Sequence, residues 1–193
     1  MTDTTTRQAE RAALSDPAQR VKVLRDRMRR GDLSRERVEL AAYCGNGVAR
    51  EVVGPMHDAL PEVRGWTFTG GIPSLERWTK GLQRWGHTVQ VRAGLAAAER
   101  AWWASGCDGN AAEALDAVQA WLDNPSEASR QRWEEAAESA AGPGVRWILR
   151  PSDDAMTLRA RVKAAAKATS EEGVRKAMQA ALTGWALGEV SHG

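Results

Sequence analysis

Large aliphatic side chains are scarce in this sequence. Leu, Ile, Val and Phe together number 31 among 193 residues, whereas Ala alone numbers 34. So low a content would indicate disorder if the net charge were high. It is not high, because 27 basic and 25 acidic side chains leave a net charge of +2. Nine Trp, against one Phe and one Tyr, are therefore expected to supply the bulk of a core that Ala cannot fill.

Long apolar runs are missing as well. No stretch approaches the roughly 18 consecutive apolar residues of a membrane span. Residues 1–10 are polar and lack the apolar centre of a signal peptide, so we expect a cytoplasmic protein with no membrane partner. The two cysteines, Cys44 and Cys107, are expected to be reduced in that compartment, with a disulfide as the alternative.

The sequence also has few groups that could bind a metal or a cofactor. Its three histidines have no partner histidine three or four residues away, and no Cys-x-x-Cys occurs. These absences argue against a zinc site. Gly70 and Gly71 precede a helix start at Ser74, but no P-loop or dinucleotide fingerprint surrounds them, so we expect a turn there. We predict no metal and no cofactor.

One Cys–His combination could support nucleophilic catalysis, namely Cys44 with His57 or His87. Cys44 closes an Ala-Ala-Tyr-Cys run at a helix end. A small buried thiol is the favoured interpretation, because free cysteine is among the most buried residue types. No Gly-x-Ser-x-Gly motif is present. We therefore predict no enzymatic activity and no catalytic residue.

After a polar lead at residues 1–15, three short helices are predicted within residues 16–54. Asp16 and Pro17 suit a helix start, and Gly31 suits its end. Ser34 is expected to cap the second helix and Asn46 the third. Residues 55–73, rich in Gly and Pro, are predicted as a loop, with a short strand at 66–69 as the alternative.

Residues 74–188 are predicted as a helical bundle. Leu75, Trp78, Leu82 and Trp85 form one apolar seam, and Gly86 should stop or kink that helix. Later helix starts are expected at the following residues: Thr88 (with a strand over 87–92 as the alternative), Asn110, Ser126, Ser152, and Thr169 with Glu172 as a capping box. Residues 189–193 should fray.

The fold class predicted from these patterns is all-α. We expect a compact bundle, or a short helical-repeat-like array, of about eight or nine helices. Residues 16–188 are expected to form one domain, since 193 residues suit a domain of ordinary size.

Three stretches resemble a loose group of uncharacterised all-helical bacterial proteins, some of which carry an immunity-protein label. The stretches are GDLSRERVELAAYCGNGVAR (31–50), WTKGLQRWGHTVQVRAGLAAAERAW (78–102) and ALDAVQAWLDNPSEASR (114–130). The resemblance covers about half of the chain. It implies an all-α fold and a protein-binding role, and it implies no catalytic residue.

The predicted first helix carries the densest positive charge. Six cations and one anion occur between Pro17 and Arg30. Arg20, Lys22, Arg27 and Arg29 are candidates for a basic face toward phosphates or an acidic partner. The alternative is an ordinary solvated face, and the net charge of +2 argues against a dedicated nucleic-acid binder.

The tryptophans divide into two sets. Six fit apolar stripes and are predicted core residues: Trp78, Trp85, Trp102, Trp121, Trp133 and Trp185. Trp66, Trp103 and Trp147 lie off the stripes and, with Phe68, are candidates for partner contact. The alternative is that the connecting segments bury them.

Three functions follow from these observations. The preferred one is a non-catalytic protein–protein interaction module, an adaptor or an immunity-type partner, in a bacterial cytoplasm. The second is nucleic-acid binding through residues 17–30. The third is an enzyme without a local motif, which would require Cys44 close to His57 or His87.

Overall fold

The computed structural model describes residues 16–54, 74–106, 111–139 and 155–188, apart from the side chains of 155–157. These ranges contain nine α-helices, one 3-10 helix and no strand, which confirms the all-α prediction. The α-helices are α1 (Pro17–Arg30), α2 (Arg35–Tyr43), α3 (Gly47–Val53), α4 (Leu75–Gly81), α5 (Gly86–Ala104), α6 (Ala111–Asp123), α7 (Glu127–Ser139), α8 (Ala155–Ala168) and α9 (Glu171–Leu187). The 3-10 helix is Leu82–Trp85.

Contacts between residues group the chain into two compact units. Unit 1 is Met1–Val63 with Thr183–Gly193, and unit 2 is Arg64–Leu182. Unit 1 thus contains α1 to α3 and the last residues of α9, and unit 2 contains the other helices. The predicted lead at 1–15, loop at 55–73 (with its alternative strand) and frayed tail at 189–193 lie outside the described residues.

The helix ends of unit 1 follow from local side-chain chemistry. The Asp16 carboxylate accepts a hydrogen bond from the Ala18 backbone N–H at 3.0 Å, ahead of Pro17. Ser34 and Asn46 cap α2 and α3 in the same way. Gly31 ends α1 at a φ of 81°, in the left-handed region where glycine carries no Cβ penalty. All four predicted positions are confirmed.

The interior of unit 1 is built from small and aliphatic side chains. α3 packs on both α1 and α2. From Val38 onward, α2 is buried almost throughout, ending in the buried Tyr43 and Cys44. On α1 the apolar stripe is narrower, with Val21 and Leu24 buried.

In unit 2 the predicted seam is buried, but it does not lie on one helix. Leu75, Trp78, Leu82 and Trp85 are all buried. α4 ends at Gly81, the 3-10 turn follows, and Gly86 then begins α5 at a φ of 82°. The predicted break at Gly86 is therefore confirmed, and residues 87–92 are helical rather than a strand.

α5 is the longest helix, and its buried side is made almost entirely of Ala, Gly and Val. α8, α6 and the 3-10 turn pack against it, and α8 also packs on α4. A Cβ added at Gly94 would lie 3.5 Å from Leu158 Cδ1 of α8. Small residues on α5 thus allow α8 to approach closely.

The predicted capping box at Thr169 and Glu172 is wrong. The Thr169 hydroxyl donates to the Ala165 carbonyl at 3.0 Å and so belongs to the last turn of α8. The next residue, Ser170, caps α9 instead, accepting from the Gly173 N–H at 3.0 Å. Glu172 pairs with Lys176 at 2.6 Å. No helix in the described ranges is long and apolar enough to cross a membrane.

Candidate functional site

Trp103 lies at the end of α5 and is 65% exposed. The described residues contain one other exposed large hydrophobic side chain, Val23 at 38%. Trp103 is thus the one predicted contact residue whose exposure the structure shows. The other three, Trp66, Phe68 and Trp147, lie outside the described residues.

The ring of Trp103 contacts the ring of its neighbour Trp102. Its centroid lies 5.4 Å from that of Trp102, which is half-buried. The helix end is held by Ser105, whose hydroxyl donates to the Trp102 carbonyl at 2.8 Å and whose N–H donates to Ala101 at 3.1 Å. The exposed indole therefore lies next to a helix end whose last carbonyl groups accept hydrogen bonds from Ser105.

Two charged residues of opposite sign precede Trp103 by one helical turn. Glu99 and Arg100 are both exposed, and residues three and four apart are neighbours on a helix surface. Partial burial of the Glu99 carboxyl raises its pKa above the ordinary value. We call Glu99, Arg100, Trp102 and Trp103 the tryptophan surface. An aromatic centre with a polar rim is typical of protein-binding sites.

The four candidate basic residues do not form one face of α1. At about 100° per residue, Arg20 and Lys22 lie roughly 200° apart around the helix. Arg27 falls on the side of Arg20, and Arg29 on the side of Lys22. The structure therefore divides the predicted basic face into two stripes.

Two of these four residues also have partners. Arg29 pairs with Asp26 at 3.3 Å. Arg27 is half-buried, and its Nη1 donates to the Leu187 carbonyl at 2.8 Å. Arg20, Lys22 and Arg29 are all exposed, so Arg27 is the one member of the set that is partly withdrawn from solvent.

Arg37 of α2 also contacts the carboxyl end of α9, a contact that the sequence did not predict. Arg37 of α2 donates from Nη2 to the Trp185 carbonyl, and its guanidinium lies 5.0 Å from the centre of the Trp185 ring. With Arg27, it places two cations at the end of a helix whose dipole favours positive charge. These contacts span 148 and 160 residues, so no local pattern could have revealed them.

Burial of the other described tryptophans follows the prediction only in part. Trp78, Trp85 and Trp133 are buried, as expected. Trp102, Trp121 and Trp185 are half-buried, so the prediction that they are core residues is confirmed only in part.

The candidate nucleophile Cys44 is buried at the end of α2, and its N–H donates to the Leu40 carbonyl at 2.9 Å. Burial raises the pKa of its thiol to about 12. A thiol in that state is a poor nucleophile. Of its two candidate bases, His57 lies outside the described residues. The ring of His87 contacts that of Trp121, with centroids 5.5 Å apart.

The described part of the chain contains no group of three or more His, Cys, Asp or Glu residues placed to bind a metal ion. Cys107, the other cysteine, is not among the described residues.

No protein-family model, curated protein or solved structure matches the chain. The resemblance to helical immunity proteins therefore stays a prediction.

Proposed function

We propose that this chain is a non-catalytic protein-binding module of a bacterial cytoplasm and that the tryptophan surface belongs to its binding site. The observation that carries the proposal is the exposure of Trp103 at the end of α5, where Ser105 caps the helix. Burying a large indole against a partner removes apolar area from water, at about 25 cal/mol per Å². Tryptophan is also enriched among the residues that dominate binding energy.

The surroundings of Trp103 indicate the kind of partner. Glu99 and Arg100 are exposed, carry opposite charges and precede the indole by one helical turn, and the guanidinium of Arg100 lies next to Gly173 of α9. A matching protein surface would offer an apolar pocket for the ring and complementary charges at its edge. Such charges set orientation and association rate more than affinity.

The test starts with proteins encoded beside the gene for this chain. Each is purified and its affinity for the wild type, Trp103→Ala and Gln131→Ala is measured by calorimetry. Gln131 is an exposed residue of α7 and serves as the matched control. We expect Trp103→Ala to weaken a genuine complex at least about 30-fold, as loss of a dominant contact does, and Gln131→Ala to leave it unchanged. Equal affinities for all three proteins would contradict the proposal.

The finer proposal is an immunity-type role, which the resemblance of stretch 78–102 supports because Trp103 follows it directly in α5. An immunity protein must neutralise a toxic partner. Co-expression with a toxic neighbour should then permit growth with the wild type and fail with Trp103→Ala. An adaptor would bind its partner with no such rescue.

A further inference from the structure

Arg161 is a buried cation in the middle of α8. Only 8% of the residue is exposed. It belongs to the buried stripe of the helix, together with Leu158, Val162 and Ala165. Arginine is almost never fully buried unless it is paired.

Within the described part of the chain, no acceptor meets the buried Nε–H of Arg161. α8 packs on α5 and α4, and the buried residues of both helices are uncharged. Arg159, two residues earlier, also has a buried Nε–H without an acceptor in that part of the chain, but its Nη2 pairs with the carboxylate of Glu76. An exposed carboxylate thus pairs with Arg159, whereas the described residues show no counter-ion for Arg161.

A buried guanidinium without a counter-ion destabilises the folded state, and a bound anion would offset that cost. Burial lowers the pKa of Arg161 to about 10, so the guanidinium stays positively charged at neutral pH. A buried charge without a partner is strongly unfavourable, whereas a bidentate pair offsets much of that cost.

We propose that Arg161 anchors a binding site for a small oxyanion of the phosphate or carboxylate class. The Nε–H and an adjacent Nη–H form the edge of guanidinium that such an anion binds through two parallel hydrogen bonds. The inference is independent of the tryptophan surface, since Trp103→Ala should leave anion binding intact.

The experiment measures thermal unfolding of the full chain with increasing inorganic phosphate, at an ionic strength held constant with sodium chloride. Acetate forms a parallel series that separates carboxylate from phosphate. At ten times the dissociation constant we expect the wild-type Tm to rise by about 3–6 °C. Arg161→Met should lose this response. Arg159→Met, the matched control on the same helix, should keep it.

Without phosphate, Arg161→Met should be at least as stable as the wild type, because it removes a buried unpaired charge. Calorimetric titration of phosphate into the wild type and Arg161→Lys gives a second readout that does not need the methionine variant. Lysine keeps the charge but lacks the two-pronged edge, so we expect affinity to fall about 10-fold or more.

Three results would overturn the proposal. The first is that neither phosphate nor acetate binds the wild type saturably. The second is that Arg161→Met gains as much Tm from phosphate as the wild type does. The third is that Arg161→Met unfolds more easily than the wild type without added anion, which would show that the guanidinium already has a partner within the chain.

Discussion

Trp78 and Trp103 carry the same side chain in opposite surroundings. Trp78 is fully buried in α4, and Trp103 is mostly exposed at the end of α5. We expect Trp78→Ala to lower the free energy of unfolding by on the order of 3–5 kcal/mol, because it leaves a cavity. Trp103→Ala should change it by less than about 0.5 kcal/mol. Urea unfolding followed by circular dichroism, which does not depend on the indoles, measures both.

The two variants control each other. A loss of stability in Trp103→Ala comparable with that of Trp78→Ala would mean that the Trp103 indole is buried, and the binding proposal would lose its main support. Both tryptophans fall within helical sequence, and spacing alone separated them correctly, because one lies on an apolar stripe and the other does not.

Cys44 shows how burial decides chemistry at a single residue. With a pKa of about 12, its thiol is ionised to only about one part in 10⁴ at pH 8. In a Cys107→Ser variant, Cys44 is the sole thiol. We expect the Cys44 thiol not to react with a disulfide reagent in the folded protein. It should react completely in about 6 M guanidinium, which unfolds most domains.

Because burial raises the pKa of the Cys44 thiol, the free energy of unfolding depends on pH. The folded state holds the thiol proton more tightly, so this contribution to stability is present below pH 9.0 and is lost as the pH rises toward 12. Cys44→Ala should lack that part of the alkaline loss. Rapid labelling of native Cys44 at pH 8 would contradict the buried state and restore the thiol as a candidate nucleophile.

At the scale of helices, the end of α9 is held by arginines from other helices. Arg27→Ala removes a charge-assisted hydrogen bond to the half-buried end of α9, and we expect a loss of about 1–3 kcal/mol. Arg20→Ala, on the same helix and exposed, should change stability by less than about 0.5 kcal/mol. Denaturant unfolding at fixed ionic strength separates the two.

Equal effects of Arg27→Ala and Arg20→Ala would show that the Leu187 contact contributes nothing to stability. Retention of most stability in Arg27→Lys would indicate that positive charge near the helix end matters more than the hydrogen-bond geometry.

Helix ends could be predicted from the sequence because caps are local. Asp16, Ser34 and Asn46 each bond to an N–H two or three residues away, which is within the reach of a pattern. The prediction for Thr169 was wrong because Thr169 and Ser170 both carry a hydroxyl that can cap a helix. In the structure Thr169 bonds to the last turn of α8, and Ser170 caps the start of α9. The contacts of Arg27 and Arg37 join residues far apart in the sequence, so no local pattern predicts them.

At the scale of the whole molecule, the described tryptophans are unevenly distributed between the two units. Six of the seven described tryptophans belong to unit 2, and only Trp185 belongs to unit 1. Unit 1 builds its interior from Val, Leu, Ala and one Tyr, as ordinary small helical units do. Indoles thus replace scarce aliphatic bulk mainly in unit 2, where the buried side of α5 is too small to fill space by itself.

The charge of the whole molecule bears on the alternative function, nucleic-acid binding through residues 17–30. The net charge is only +2, and the exposed cations of α1 are split between two sides of the helix. We therefore expect no retarded band with duplex DNA or single-stranded RNA at 150 mM salt, about the physiological value.

A weak complex at about 20 mM salt is compatible with this expectation, provided that its affinity is equal for the wild type and the double variant Arg20→Ala, Lys22→Ala. The contrary outcome is a complex at physiological salt whose affinity falls steeply as salt rises and which the double variant abolishes, while Gln131→Ala preserves it. That result would show that two residues on different stripes of α1 act together on one phosphate backbone, and it would make nucleic acid the partner in place of protein.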